Sequence, residues 1–205
     1  RALAGREVDL DAAPSFLDPT LKVALPDPGH LLDMDRAVAR LVAAIGAGER
    51  IVVFGDYDVD GATSSALLVR YFRMIGVEIG VYIPDRIAEG YGPNAPALEK
   101  LAADGARVVV TVDCGITAHD PLAAGKAAGL DVIVVDHHVA EPSLPPAVAV
   151  VNPNRLDDSS PHGQMAAVGV TFLLLVALNR ALRTARHFDG GREPDLLNLL
   201  DLVAL

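Results

Sequence analysis

The stretch IVVFGDYDVDGATSS (51–65) sets Asp56, Asp58 and Asp60 at alternate positions and follows them with Gly61. Carboxylates so spaced can form a calcium loop, a helix cap or part of a catalytic metal site. An EF-hand loop closes its coordination with a bidentate Glu at the twelfth position. Counted from Asp56 that position is Leu67, which offers no ligand atom. Such a loop also follows a helix, but Ile51 to Phe54 is a short apolar, β-branched run that reads as a buried strand. The calcium reading fails on both counts.

Other polar groups follow apolar runs in the same way. VVVTVDCG ends on Asp113 and Cys114, VIVVDHH on Asp136, His137 and His138, and VVNPN on Asn152 and Asn154. An aspartate between a strand and a helix is often an N-cap, and that reading stays open for each of these singly. As a set they fit it poorly, because carboxylates gathered at one edge repel and raise one another's pKa unless a cation sits among them. Oxygen ligands with an imidazole suit Mg²⁺ or Mn²⁺, whereas Zn²⁺ more often recruits cysteines or further histidines. Cys114 is the chain's sole cysteine, and its expected role is that of a small buried side chain. Neighbours in an extended chain point to opposite sides, so His137 and His138 are expected to divide the work. One binds metal; the other faces substrate as a phosphate donor or general acid. His30, His119, His162 and His187 lie outside these motifs and read as surface or structural.

An alternation of strands and helices must position these groups. The pattern predicts strands over 51–54, 79–83, 108–112, 132–135 and 147–151, and helices over 62–75, 95–103, 117–128 and 166–186. A further helical stripe is carried by Leu31, Met34, Val38, Leu41, Val42 and Ile45, after an irregular arm over 1–29 rich in Pro, Asp and Ala. Continuous apolar strands separated by helices imply an α/β fold: a doubly wound, mostly parallel sheet with helices on both faces. Ligands of such sheets gather at the carboxyl ends of the strands, where the acids and histidines fall.

Bulk properties bound the function. With 205 residues, 51% of them hydrophobic, the chain can bury a sizeable core. No run reaches the ~18 uncharged apolar residues of a membrane span, and no membrane partner is expected. A lone cysteine fits a reducing, cytoplasmic setting. The net charge of −10 argues against a nucleic-acid surface. Cations bound among the acids would temper that charge. The final run LLNLLDLVAL ends on apolar residues without a stop signal, so a continuation is expected, one that could hold basic surface.

Together the motifs resemble the DHH phosphoesterase superfamily, and within it the RecJ-type 5′→3′ single-stranded-DNA exonucleases. GDYDVDGATSSALL, YIPDRIAEGYGPN, TVDCGI, VVDHH, VNPNR, AAVGVTFLLLVAL and LLDLVAL occur in that order. The resemblance implies an arm and helix over 1–48 and a catalytic domain over 49–205, with a substrate-gripping second domain beyond it. It implies metal ligands Asp58, Asp60 and Asp56, a bridging Asp113, and ligands His137 and Asp201 for two Mn²⁺ or Mg²⁺ ions. Asp136 supports His137, and His138 faces phosphate, so that Asp136 and His138 form the catalytic pair. Many superfamily members carry a histidine ligand where Phe54 stands here, a place for which Asp56 can compensate. Arg86 is a candidate phosphate clamp, with an ion pair to Asp85 or Glu89 as its alternative. Tyr91 either stacks on a base or packs.

The implied activity is metal-dependent phosphodiester hydrolysis of single-stranded DNA in repair and recombination, with single-strand-binding protein and other repair proteins as candidate partners. Alternatives are a nanoRNase, a nucleotide phosphatase, a cyclic-dinucleotide phosphodiesterase, or an inactive replication scaffold. The survival of every expected acid and both histidines disfavours the last.

Overall fold

The structure, a computed structural model, describes residues 4–6 and 8–204. Residues 1–3 and 7 of the expected arm, and Leu205, lie outside the described residues. The arm carries two short helices, α1 (Ala13–Leu17) and α2 (Leu21–Ala24), with Leu10, Phe16, Leu17 and Val23 exposed. Helix α3 (Met34–Ala47) buries Met34, Ala37, Val38, Leu41 and Ala44 at helical spacing and stops at Gly48, whose φ of 64° is left-handed.

Five strands then alternate with helices: β1 (Ile51–Gly55), α4 (Val59–Met74), β2 (Gly80–Tyr82), α5 (Ala95–Ala103), β3 (Val108–Val112), α6 (His119–Ala127), β4 (Asp131–Val135) and β5 (Ala149–Val151). Helices α7 (Ala167–Thr184) and α8 (Leu200–Val203) follow. The sheet order is β2-β1-β3-β4-β5 and every pairing is parallel. Alternate strand residues feed two cores. Val53, Val110 and Ile133 face α3, α4 and α7, while Val52, Val109 and Val132 face α5 and α6. Both faces are covered, which is why the central strands β1 and β3 are buried throughout and almost wholly apolar.

The order reverses between β1 and β3, so their carboxyl ends flank the crevice where open α/β sheets bind ligands. Both edge strands are shorter than their apolar runs, because β2 and β5 each have one neighbour; beyond β2, Ile83 is already exposed. Helix α4 starts at Val59 rather than at the expected Ala62, because Asp58 caps it through the Gly61 N–H at 3.0 Å. Asp60 therefore lies inside the first helical turn.

Helix α7 has the length and apolarity of a membrane span, with a mean hydropathy of 1.4, yet two-thirds of it is buried inside the fold. It packs between α3 and α4 as the core helix of one face. The outer side of edge strand β5 is closed by side chains. Asp33 accepts the Val150 N–H at 3.1 Å, and Arg155 donates to Asp33 at 2.9 Å and to the Val150 carbonyl at 2.6 Å. Arg155 is buried. Removing Asp33 leaves Arg155 with Asp157 as its remaining carboxylate partner, at 2.9 and 2.8 Å, and the Val150 N–H short of an acceptor. Asp33→Ala is therefore expected to cost about 2–3 kcal/mol in urea unfolding, with Asp33→Asn losing less.

Candidate metal centre

Motif one is shaped by close backbone contact. A Cβ on Gly61 would stand 2.5 Å from the Asp56 carbonyl oxygen, and one on Gly55 would stand 2.3 Å from Ser65 Oγ. The start of α4 thus lies directly on the end of β1, and the intervening turn carries Asp56, Asp58 and Asp60. Asp56 is buried, and its Oδ1 has no hydrogen-bond partner; the nearest cation is Arg86 Nη1 at 3.9 Å. Asp58 caps α4. Asp60 accepts the N–H groups of Ala167 and Val168 at 2.8 and 2.7 Å, so its carboxylate sits on the positive end of α7.

Asp113 follows β3 with a left-handed φ of 59° and is 2% exposed. Gly115, two residues on, has φ 109°, a conformation that suits glycine. His137 Nε2 lies 3.2 Å from Asp113 and 3.6 Å from Asp60. Asp56, Asp58 and Asp113 each bring a ligand atom within 4.8 Å of one another, and so do Asp113, His137 and His138. Asp113 belongs to both groups.

Asp136 is fully buried and turns inward. It accepts from the Ile116 N–H at 3.0 Å, the His137 N–H at 2.7 Å, the His138 N–H at 3.2 Å and His138 Nδ1 at 2.7 Å. Its capacity is filled by the loop it holds. Asn152 and Asn154 complete the support by donating to the backbone carbonyls of His138 and His137. Their sequence signal was a position at the same sheet edge, which gave no role. Cys114 is buried in the opposite core, as expected of a small apolar side chain, and its thiol is pushed well above its usual pKa by burial and nearby acids.

The electrostatics fit cation binding. Burial, with Asp60 and Asp58 close by, pushes Asp113 from 3.8 up to about 8. The Asp136 hydrogen bond raises His138 from 6.5 to about 9, so at neutral pH its ring is cationic. A buried acid held protonated and a buried oxygen with no partner are what a divalent cation would relieve. The donor set, carboxylates with imidazole and no thiolate, suits Mn²⁺ or Mg²⁺.

Two expectations meet a different geometry. Asp201 does not join the cluster: on α8 it is exposed and pairs with Arg70 at 3.1 Å, a surface ion pair between α8 and α4. A four-residue helix docked on α4 turns that side chain away from the sheet edge. Arg86 pairs with neither Asp85 nor Glu89. Asp85 accepts the Ile87 and Ala88 N–H groups, and Glu89 binds Tyr82 and the Asp85 N–H. Phe54, at the place of a family histidine, is fully buried in β1 and stacks on Tyr82. Tyr57, which motif reading passed over, carries the Arg86 guanidinium 4.6 Å from its ring centroid.

The family model for the DHH family, N-terminal domain, matches residues 50–205. The chain belongs to the DHH family. It is 40% identical over 190 residues to the single-stranded-DNA-specific exonuclease RecJ of Haemophilus influenzae, covering 92% of this chain and 33% of that protein. To the RecJ of Salmonella typhimurium it is 44% identical over 179 residues, covering 86% and 31%. A crystal structure of exonuclease RecJ bound to manganese superposes with a TM-score of 0.72 at 37% identity, over 85% of this chain and 42% of that one. The chain thus spans about a third of the length of these curated relatives. The DHH motif itself, Asp136-His137-His138, is the loop organised by the buried Asp136.

Asp113 ionises at 3.8 when unfolded but near 8 in the cation-free fold. The stability that Asp113 contributes is therefore lost as pH rises from about 4 to about 8, and that of His138, raised from 6.5 to about 9, as pH rises through that range. Asp113→Asn is expected to flatten that slope and raise the cation-free melting temperature at pH 8 by several degrees. It should also abolish the further rise on adding Mn²⁺, whereas Asp201→Ala should leave that rise intact. Thermal melts at several pH values with and without Mn²⁺ check all three outcomes.

Proposed function

We propose that this chain is the catalytic domain of a metal-dependent 5′→3′ exonuclease acting on single-stranded DNA. The carrying observation is Asp113, common to two ligand groups at the switch point of the sheet. Manganese in the similar RecJ structure supports the choice of ion. Asp56, Asp58 and Asp113 would hold one Mn²⁺ or Mg²⁺, and Asp113 and His137, with Asp60 alongside, the other. Bound ions supply an acidified water and neutralise phosphoryl charge.

The protein's own groups do the rest. Asp60 and Asp136 are each held by two or more backbone N–H groups, so their carboxylates stay in place without solvent. Asp136 accepts from His138 Nδ1, which fixes the proton there and turns Nε2 outward. The ring is half exposed and, when protonated at both nitrogens, donates Nε2–H to a phosphate oxygen. Val59, Ala166, Val168 and Val203 line a groove beside Asp58 and Asp60, an apolar wall suited to a base or sugar.

A second, substrate-gripping domain following residues 49–205 fits the acidic balance of this chain, −10 overall. A cytoplasmic location and contact with single-strand-binding protein belong to the same proposal.

Digestion of 5′- and 3′-labelled single and double strands by the full-length protein with Mn²⁺ tests it. Mononucleotides should leave the 5′ end of single strands first; equal attack on a 5′-blocked strand, or a preference for duplex, would refute the assignment. His137→Ala is expected to weaken Mn²⁺ binding at least about tenfold. His138→Ala should leave that affinity nearly intact and slow turnover by about a hundredfold. Calorimetry alongside turnover separates them, and equal losses of Mn²⁺ affinity would show that both histidines are ligands.

A further inference from the structure

Arg86 stands at the rim of the candidate metal centre. Its guanidinium carbon lies 4.6 Å from the centroid of the Tyr57 ring and 5.2 Å from that of Tyr91. The two acids of its own loop are engaged elsewhere, Asp85 with backbone N–H groups and Glu89 with Tyr82. Among the described residues, the one carboxylate within 4.0 Å of it is that of Asp56, at 3.9 Å, beyond hydrogen-bond reach. The side chain is 48% exposed. A guanidinium that rests its face on aromatic rings keeps its in-plane N–H fork free for an oxyanion.

Both rings are anchored to the metal centre. Tyr91 donates its hydroxyl to the Asp113 carbonyl at 3.0 Å and meets His138 edge-on, centroids 6.2 Å apart. Tyr57 lies between Asp56 and Asp58 in the turn that carries both carboxylates. It is half exposed, and no hydrogen bond of its hydroxyl is present among the described residues. Among the described residues, Arg86 is the cation this ring carries.

We propose that Tyr57, with Tyr91, is a positioning residue that holds Arg86 as a fixed phosphate-gripping fork at a set distance from the carboxylate cluster. The ligand is a phosphate group of the nucleic-acid strand, so the inference rests on the hydrolase reading above and assigns a role to a residue which that reading leaves idle. Holding Arg86 against two rings removes side-chain freedom that strand binding would otherwise have to remove. Tyr57 serves Arg86 and does not stack on a base itself.

The test is a double-mutant cycle in the full-length protein. Three quantities are read: binding of a short labelled oligothymidylate by anisotropy with Ca²⁺, KM and kcat with Mn²⁺, and Mn²⁺ affinity by calorimetry. Tyr57→Leu is expected to weaken strand binding and raise KM about fivefold, the scale of one exposed cation–π contact. Its kcat and Mn²⁺ affinity should be unchanged, and Tyr57→Phe should behave as the unmodified protein. In an Arg86→Ala background the same Tyr57→Leu change should add less than about twofold. A full additive loss in that background would overturn the proposal, because Tyr57 would then be acting on the strand directly. Loss of Mn²⁺ affinity in Tyr57→Leu would overturn it too, by assigning the ring to the shape of the ligand turn. If the unmodified protein neither binds nor cleaves the strand, the hydrolase reading falls and this inference with it. If it does both and the cycle is additive, this inference alone falls.

Discussion

Mutual repulsion among carboxylates governs this molecule. Asp56, Asp58, Asp60, Asp113 and Asp136 all lie just beyond the ends of β1, β3 and β4, and three of the five are buried. A fold can tolerate that only by giving each charge a compensating dipole or proton. Asp136 has three N–H groups and an imidazole, Asp60 the start of α7, and Asp58 the start of α4. The compensation stops short at Asp56, with a partnerless oxygen, and at Asp113, whose carboxyl is pushed up to about 8. These two flank the gap between β1 and β3. The deficit is local, and its place is the place where a cation would remove it.

The scaffold reflects the same need. Asp60 ties the beginning of α4 to the beginning of α7, so the core helix of one face is positioned by a residue of the site. Packing on that face and geometry at the edge are one problem. Substitutions within α7 that shift its first turn are therefore felt at Asp60, although most of what the helix buries is apolar. Gly55 and Gly61 do the corresponding work between β1 and α4, where the contact leaves no room for a Cβ.

Much of this was legible in the sequence because two signals coincide there. Continuous β-branched runs mark strands buried on both faces, and the acids and histidines begin where those runs stop. That combination located β1, β3 and β4 together with the carboxylates and histidines at their ends. Side-chain direction was not legible. Asp201 sits in an apolar block, but only the docking of α8 on α4 shows it facing Arg70. Asp85 and Glu89 flank Arg86 in sequence, yet both are drawn into the turn of their own loop, which a linear reading of charge cannot reveal. Tyr57 was passed over for a related reason: beside three aspartates its ring reads as a spacer, and its partner comes from a loop about thirty residues away.

The chain's single thiol, Cys114, adjoins Asp113 and is wholly enclosed. With its ionisation suppressed, it is chemically silent until the edge of the sheet opens. Its alkylation is therefore a clock for that opening, read at one known atom with no competing cysteine in the chain. At low reagent the rate follows the equilibrium between closed and open forms, and at high reagent it follows the opening step itself. The same enclosure that keeps the sulfur away from the candidate metal centre makes it a built-in reporter on the breathing of that edge of the sheet.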